Sequence, residues 1–97
     1  MNFLVNAYDY KDEKALARRL EVRGLHMEGI KDLYEKKNIL FASAMLNEDD
    51  IMCGSSLVVE FDSRDDLNKW LESEPYVKNK VWEKIDIRVC KVADMFL

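Results

Sequence analysis

One histidine and one proline occur among the 97 residues of this chain, and each marks a place where chemistry is possible. His26 closes the run Val22-Arg23-Gly24-Leu25-His26. An unperturbed imidazole changes charge near neutral pH, which no other ordinary side chain does. Pro75 sits in Ser73-Glu74-Pro75-Tyr76, where its ring stops a helix and holds an acid at the helix end. A carboxylate beside an imidazole fixes its tautomer and strengthens it as a base, and such a pair moves protons at pH 7. It can take a proton from carbon next to a carbonyl, or from a phenol, and return it elsewhere. The transition state then gathers negative charge. Arg23, one turn before His26, is placed to stabilise that charge or to hold a substrate carboxylate. Tyr76 follows the proline and is expected to line the mouth of the site. Ser43 and Ser55 are candidate hydrogen-bond donors from the sheet, and Asn6 and Tyr8 share one strand face that could reach the same cleft.

Each of these residues also has a plainer reading. A histidine on an amphipathic helix is more often a packed, hydrogen-bonded residue than a catalyst. Glu74 and Pro75 would serve as helix punctuation alone. Arg23 could pair with Glu21 or Glu28 on the surface, and Tyr76 and Trp82 read as core or interface aromatics. The methionines are scattered, as packing residues are. There is no phosphate loop, no GxGxxG and no serine-centred nucleophile motif. One histidine and two distant cysteines are too few for a metal site. The expected chemistry is therefore free of cofactor and metal.

Composition narrows the partners. Hydrophobic residues make up 48% and charged residues 35%, and the net charge is −4. That balance reads as one soluble globular domain over residues 1–97. It disfavours nucleic acid and anionic membrane, which need a basic face. Arg18-Arg19 and Lys36-Lys37 are flanked by acids and read as solvated helix faces. No apolar run approaches the roughly 20 residues of a membrane span, and the N-terminus lacks the basic and apolar regions of a signal peptide. A cytoplasmic protein is expected, with Cys53 and Cys90 as buried free thiols.

The elements that must carry these residues follow from hydrophobic period. Phe3–Tyr8 is short and rich in strand formers. Asp9–Asp12 ends it with polar residues and offers a helix N-cap. From Glu13 to Lys37 the pattern is helical, with Leu16, Leu20, Arg23, Met27, Ile30 and Tyr34 recurring at three and four as the expected inner stripe. Gly24 interrupts it, as a kink or a point of close approach. Ile39–Leu46 is apolar on both sides, as a strand covered on both faces would be. Asn47–Asp50 is a turn and Ser55–Phe61 the next strand. Asp62 or Ser63 caps a second helix whose inner stripe is Leu67, Trp70 and Leu71. A short turn or helix spans Pro75–Lys80, and Val81–Val92 closes the domain as a strand with Ile85, Ile87 and Val89 on one side. The order strand, helix, strand, strand, helix, strand is the ferredoxin-like α+β arrangement, with both helices on one face of a four-stranded antiparallel sheet. The other face is then bare and apolar, so a homodimer stacked through it is expected. The apolar tail Ala93–Leu97 would dock on the partner or fray.

With these landmarks in order, the chain resembles the YciI-like (YCII-related) family of small bacterial proteins. The resemblance rests on Leu20-Glu21-Val22-Arg23-Gly24-Leu25-His26, Leu40-Phe41-Ala42-Ser43-Ala44-Met45, Gly54-Ser55 and Glu74-Pro75-Tyr76-Val77. It spans nearly the whole chain, and its most specific element is Arg-x-x-His early combined with acid-Pro-Tyr late. The resemblance implies a ferredoxin-like fold assembled as a dimeric α+β barrel. It also implies a site built from the histidine and the acid before the proline, with His26 and Glu74 in the catalytic positions. Enzymes of the wider group act on small ring compounds by proton transfer, elimination or oxidation. This chain departs from the family pattern with Glu74 in place of aspartate, with Ser43-Ala44 in place of Gly-Pro, and with a short loop from Asn47 to Met52.

Three classes of function follow: a cofactor-free acid–base enzyme using His26 and Glu74, a module that binds a small ligand without turning it over, and a structural protein acting through its dimer surface and the Met95-Phe96-Leu97 tail.

Overall fold

The computed structural model describes residues 1–97. Its elements are β1 (Asn2–Asp9), α1 (Ala15–Glu35), β2 (Ile39–Leu46), β3 (Met52–Glu60), α2 (Arg64–Ser73), α3 (Pro75–Lys78) and β4 (Trp82–Cys90), followed by a 3-10 turn over Asp94–Phe96. The four strands form one antiparallel sheet in the order β2-β3-β1-β4. This is the ferredoxin-like α+β arrangement expected from the order of elements.

Strand alternation sets the two faces of the sheet. On β1, Phe3, Val5, Ala7 and Asp9 are buried, whereas Leu4 and Asn6 are half-buried and Tyr8 is exposed. Phe3 pairs with Val59, Val5 with Leu57 and Ala7 with Ser55, so these residues share the helix-covered face. Leu67 of α2, Tyr76 of α3 and Val81 complete the core there. Each large apolar side chain buried in this way contributes about 1.5–3 kcal/mol.

Helix α1 does not bury the stripe expected from its apolar residues. Its buried positions are Arg19, Val22, His26, Ile30 and Leu33, while Leu20, Met27 and Tyr34 face solvent. Arg19 is thus an inward residue and not part of a solvated face. The helix runs unbroken through Gly24, and nothing lies within 4 Å of a Cβ built there, so this glycine neither bends the helix nor admits a neighbour within the chain. Lys14 is the N-cap and makes no side-chain cap bond. The C-terminal end closes with Asn38 N–H donating to the Leu33 carbonyl (2.8 Å) and Lys37 N–H to that of Tyr34 (3.1 Å). That is a Schellman closure, with Lys37 in the left-handed conformation (φ 62°) that glycine usually supplies.

Strand β2 is an edge strand, and Ile39 is its one buried residue. Its apolar run reflects an open edge and not cover on both faces within the chain. Cys53 is exposed and Cys90 half-buried, so neither thiol belongs to the core. The tail residues Met95, Phe96 and Leu97 are exposed. No helix is long and apolar enough to cross a membrane.

Ser63 settles the start of α2. Its hydroxyl oxygen accepts from the Asp66 N–H at 3.1 Å, and Asp65 and Asp66 place negative charge in the first turn. Ser63→Ala is expected to cost about 1 kcal/mol, read as a lower urea midpoint with an unchanged m-value.

Candidate active site

Helix α2 ends at Ser73, and Glu74 then adopts an extended backbone (φ −68°, ψ 123°) because Pro75 excludes the helical conformation from the residue before it. Pro75 occupies the first position of α3, where its missing N–H leaves no gap in the helix. This corner turns the Glu74 side chain toward α1. Its Oε1 accepts from the Tyr76 backbone N–H (3.1 Å) and from His26 Nδ1–H (2.6 Å). A carboxylate only accepts, so Nδ1 carries the proton of this bond and Nε2 is the ring nitrogen left for another partner. No protein group bonds Nε2. Arg19 Nε is the sole fully buried side-chain polar atom without a partner, so Nε2 retains contact with solvent. The imidazole and the carboxylate are otherwise enclosed, with side chains 7% and 1% exposed.

Aromatic rings close the enclosure. Tyr76 stacks flat on His26, with centroids 3.9 Å apart and planes 10° apart. Trp82 meets both rings edge-on, at 5.8 Å from His26 and 5.5 Å from Tyr76. A register shift between Tyr8 and Asp9 makes this possible. Tyr8 pairs with Lys84 but Asp9 pairs with Trp82, so one residue of β4 is bulged out. Without the bulge, Trp82 would share the outer face of the sheet with Lys84.

A second buried group adjoins the first. Arg19 lies two helical turns before His26 on the same face of α1, and its guanidinium stands 4.8 Å from the Tyr76 ring centre. Arg19 Nη1 donates to both oxygens of Asp9 (2.9 and 3.0 Å), and Nη2 donates to Ser55 Oγ (2.9 Å). Ser55 Oγ also accepts from Trp82 Nε1 at 3.2 Å. A Cβ at Gly54 would lie 2.6 Å from the Ala7 carbonyl oxygen, so glycine there lets β3 close on β1 beside Ser55. Burial pushes the Asp9 carboxyl above the usual carboxylate range, and the Arg19 charge pulls it partway back. Burial likewise raises the Tyr76 phenol above 10, against the lowering fields of Arg19 and Arg23.

The Tyr76 shift gives a testable pH dependence. A phenol raised by folding holds its proton longer in the native state. The stability this supplies is complete below the unfolded value near 10 and is lost as pH rises through the folded value. In a titration followed by ultraviolet absorbance, the last tyrosine to ionise in the folded protein is expected to be the one missing from Tyr76→Phe.

The sequence-derived candidates divide between the two faces. His26, Glu74, Tyr76 and Ser55 meet on the helix side. Tyr76 forms the wall against which the imidazole lies and not a mouth, since it is fully buried. Arg23 is exposed on α1. Ser43 pairs with Ser56, and Ser56 with Asn6, on the open face, where Tyr8 also lies. The sheet therefore separates Ser43, Asn6 and Tyr8 from the imidazole. Asp9, Arg19 and Trp82 belong to the site and were not among the candidates. Two signals pointed to the first two: Asp9 continues the inward alternation of Phe3, Val5 and Ala7, and Arg19 precedes His26 by seven residues. No three His, Cys, Asp or Glu side chains converge as metal ligands would. A cleft of about 580 Å³ opens beside Asp9, between the loop after β1 and the β2–β3 turn. The largest cleft, about 940 Å³, lies at the other end of the sheet, where Asn2, Glu60 and Cys90 meet, and neither His26 nor Glu74 lines it.

Known proteins share this architecture. Protein YciI of Escherichia coli O6:H1 is 28% identical over 97 residues, covering 94% of this chain and 97% of that protein, and Protein YciI of Shigella flexneri matches equally. Among solved structures, 5-chloro-2-hydroxyhydroquinone dehydrochlorinase from Burkholderia phenoliruptrix AC1100, in complex with 2,5-dihydroxybenzoquinone, aligns with a TM-score of 0.82 at 23% identity, over 98% of both chains. A hypothetical protein from Pyrococcus horikoshii aligns with a TM-score of 0.50 at 14% identity, over 97% of this chain and 94% of that one. These structural likenesses establish a shared fold. The sequence profile of the YCII-related domain matches residues 1–91, and on that match the chain belongs to the YCII-related domain family.

Proposed function

We propose that this protein is a small-molecule enzyme in which His26 and Glu74 form an acid–base pair acting on a small ring or carbonyl compound. The observation that carries the reading is the 2.6 Å contact of His26 Nδ1 with Glu74, which ties up one ring nitrogen and leaves Nε2, in the neutral imidazole, to act as the base. Nε2 takes a proton from a phenolic oxygen or from carbon next to a carbonyl. The electron pair of the broken bond moves into the substrate. In an isomerisation the proton returns from Nε2 at another atom. In an elimination the pair moves on and expels a leaving group such as halide. Glu74 stabilises the imidazolium that forms between the two transfers. Negative charge gathers on a substrate oxygen, and Arg19 is the buried cation nearest the pair, held in place by Asp9 and Ser55. Support for the substrate class comes from the dehydrochlorinase of like fold, which carries a hydroxylated benzoquinone in its complex.

A panel of chlorinated hydroquinones, hydroxyquinones and β-dicarbonyl compounds tests the reading, followed by absorbance and halide release. At least one is expected to be converted by the native protein and not by its His26→Gln variant. Enclosure of the pair by Tyr76 and Trp82 favours a second reading, a binding module without turnover. That reading predicts a compound that raises the melting temperature while no product accumulates.

The open face of the sheet completes the proposal. Phe41 is exposed there, in one cross-strand row with Val58 and half-buried Leu4, and stacking two such faces about a two-fold axis would cover the row. Leu4→Glu is expected to halve the particle mass measured by light scattering.

A further inference from the structure

From the sideways face of α1 and the free edge of β2 we infer a second interface between copies of this chain, independent of the acid–base reading and separate from the open sheet face. On α1, Leu16, Leu20, Arg23, Met27, Ile30 and Tyr34 recur at alternating intervals of four and three. That is the spacing of a helix packed against another helix. The sheet of the same chain takes the neighbouring stripe through Arg19, Val22 and His26, and Ile30 is also buried in the core, so Leu20, Met27 and Tyr34 are the part of this seam left without a partner. Leu20, Met27 and Tyr34 are exposed at 50%, 43% and 69%. Gly24 lies on the same side of the helix and leaves open space where a second backbone could approach.

The adjoining strand has the same character. Ile39–Leu46 is an eight-residue edge with no charge and no proline, whereas natural edges are usually guarded by one or the other. Its pairing with β3 shifts register only near its two ends, at Leu40 and between Met45 and Leu46, and is regular from Phe41 to Met45. The helix and the strand border one apolar groove of about 290 Å³, lined by Met27, Ile30 and Tyr34 on one side and Ile39, Leu40 and Ala42 on the other.

The occupant is a second copy of this chain. The groove requires a helix with the same seam and an uncharged strand edge lying next to it. One two-fold axis perpendicular to β2 supplies both at once, antiparallel α1 on α1 and antiparallel β2 on β2. A 21-residue helix about 30 Å long beside an eight-residue strand gives a face of the size that stable dimers bury. Together with stacking through the open sheet face, the result is a dimer of dimers.

Light scattering on the native chain, on Met27→Glu/Tyr34→Glu and on Leu4→Glu tests this. Both substituted helix positions are exposed, so the fold is expected to persist, checked by circular dichroism. The native mass is expected at 45.6 kDa, four times the 11.4 kDa of one chain. The helix variant is expected at half that mass. If only the open-face stacking is absent, the native mass is 22.8 kDa, Leu4→Glu has no effect, and the helix variant falls to 11.4 kDa. A helix variant whose mass equals that of the native chain overturns the inference, including the case in which another protein covers the groove. Should the helix variant unfold, single cysteines at Gly24 and Met27 in a Cys53→Ser/Cys90→Ser background replace it. A cross-linked pair after mild oxidation supports the inference, and absence of cross-linking at both positions overturns it.

Discussion

His26→Gln is expected to lower turnover of any substrate found by about 100- to 10,000-fold, with the fold retained. Glutamine fills much of the imidazole's volume and can still donate to Glu74, so the helix stays tied to the α2–α3 corner. What it lacks is a lone pair that accepts a proton near neutral pH. Glu74→Gln separates charge from geometry at the partner position. Its amide oxygen still accepts from Nδ1–H and from the Tyr76 N–H, as the carboxylate does. The compensating negative charge is gone, and the imidazolium loses its stabilisation. A fall of about 100-fold or more is expected in kcat, with KM moved much less, since the substrate has no contact with Glu74 in this reading. Glu74→Asp tests position alone. The shorter acid keeps the charge and draws the carboxylate back by about one bond length, and alignment of a proton-transfer pair is sensitive to such a shift. A Glu74→Gln protein with native kcat would remove the acid–base pair from the mechanism.

Arg19→Met is expected to destabilise the fold by about 3–5 kcal/mol, measured by urea unfolding near neutral pH. The guanidinium is 3% exposed and holds Asp9 through two hydrogen bonds and Ser55 through a third. Removing it strands a carboxylate in the core, and the residual penalty depends on how readily Asp9 then takes up a proton. The double variant Asp9→Asn/Arg19→Met is expected to recover most of the loss, because no unpaired charge remains. A single variant as stable as the native chain would show that Arg19 and Asp9 are solvated in solution. The pH dependence carries a sign of its own. Folding raises Asp9 above 3.8, with burial the largest cause. The native state therefore holds this proton more tightly than the unfolded chain does. The associated stability is complete below 3.8 and declines as pH rises through the folded value. Asp9→Asn is expected to flatten that part of the stability curve.

Much of the architecture was legible in local pattern. Strand alternation, helical period, the Ser63 cap and the stop before Pro75 each follow from neighbours within a few residues. They gave the element order, the boundaries of β2 and the end of α2. The pairing of His26 with Glu74 was legible only through motif, since 48 residues separate them along the chain. The buried face of α1 was misread for a physical reason. Its apolar residues follow the outer seam, and the inner stripe carries Arg19 and His26, two polar residues that a hydrophobic count assigns to solvent. Trp82 escaped for another reason. A single bulged residue in β4 reverses which face the strand presents from that point.

By itself, then, the sequence determined the elements, their order, and the one side chain able to exchange a proton near neutral pH together with an acid to serve it. Those depend on backbone preferences and side-chain chemistry, which are local. Only the tertiary structure decided that Trp82 meets the imidazole and that Asp9, Arg19 and Ser55 adjoin it through Tyr76 and Trp82, while Ser43 and Tyr8 lie behind the sheet. The face a side chain occupies depends on strand register and on which helix stripe meets the sheet, and both are set by contacts between residues far apart in the chain.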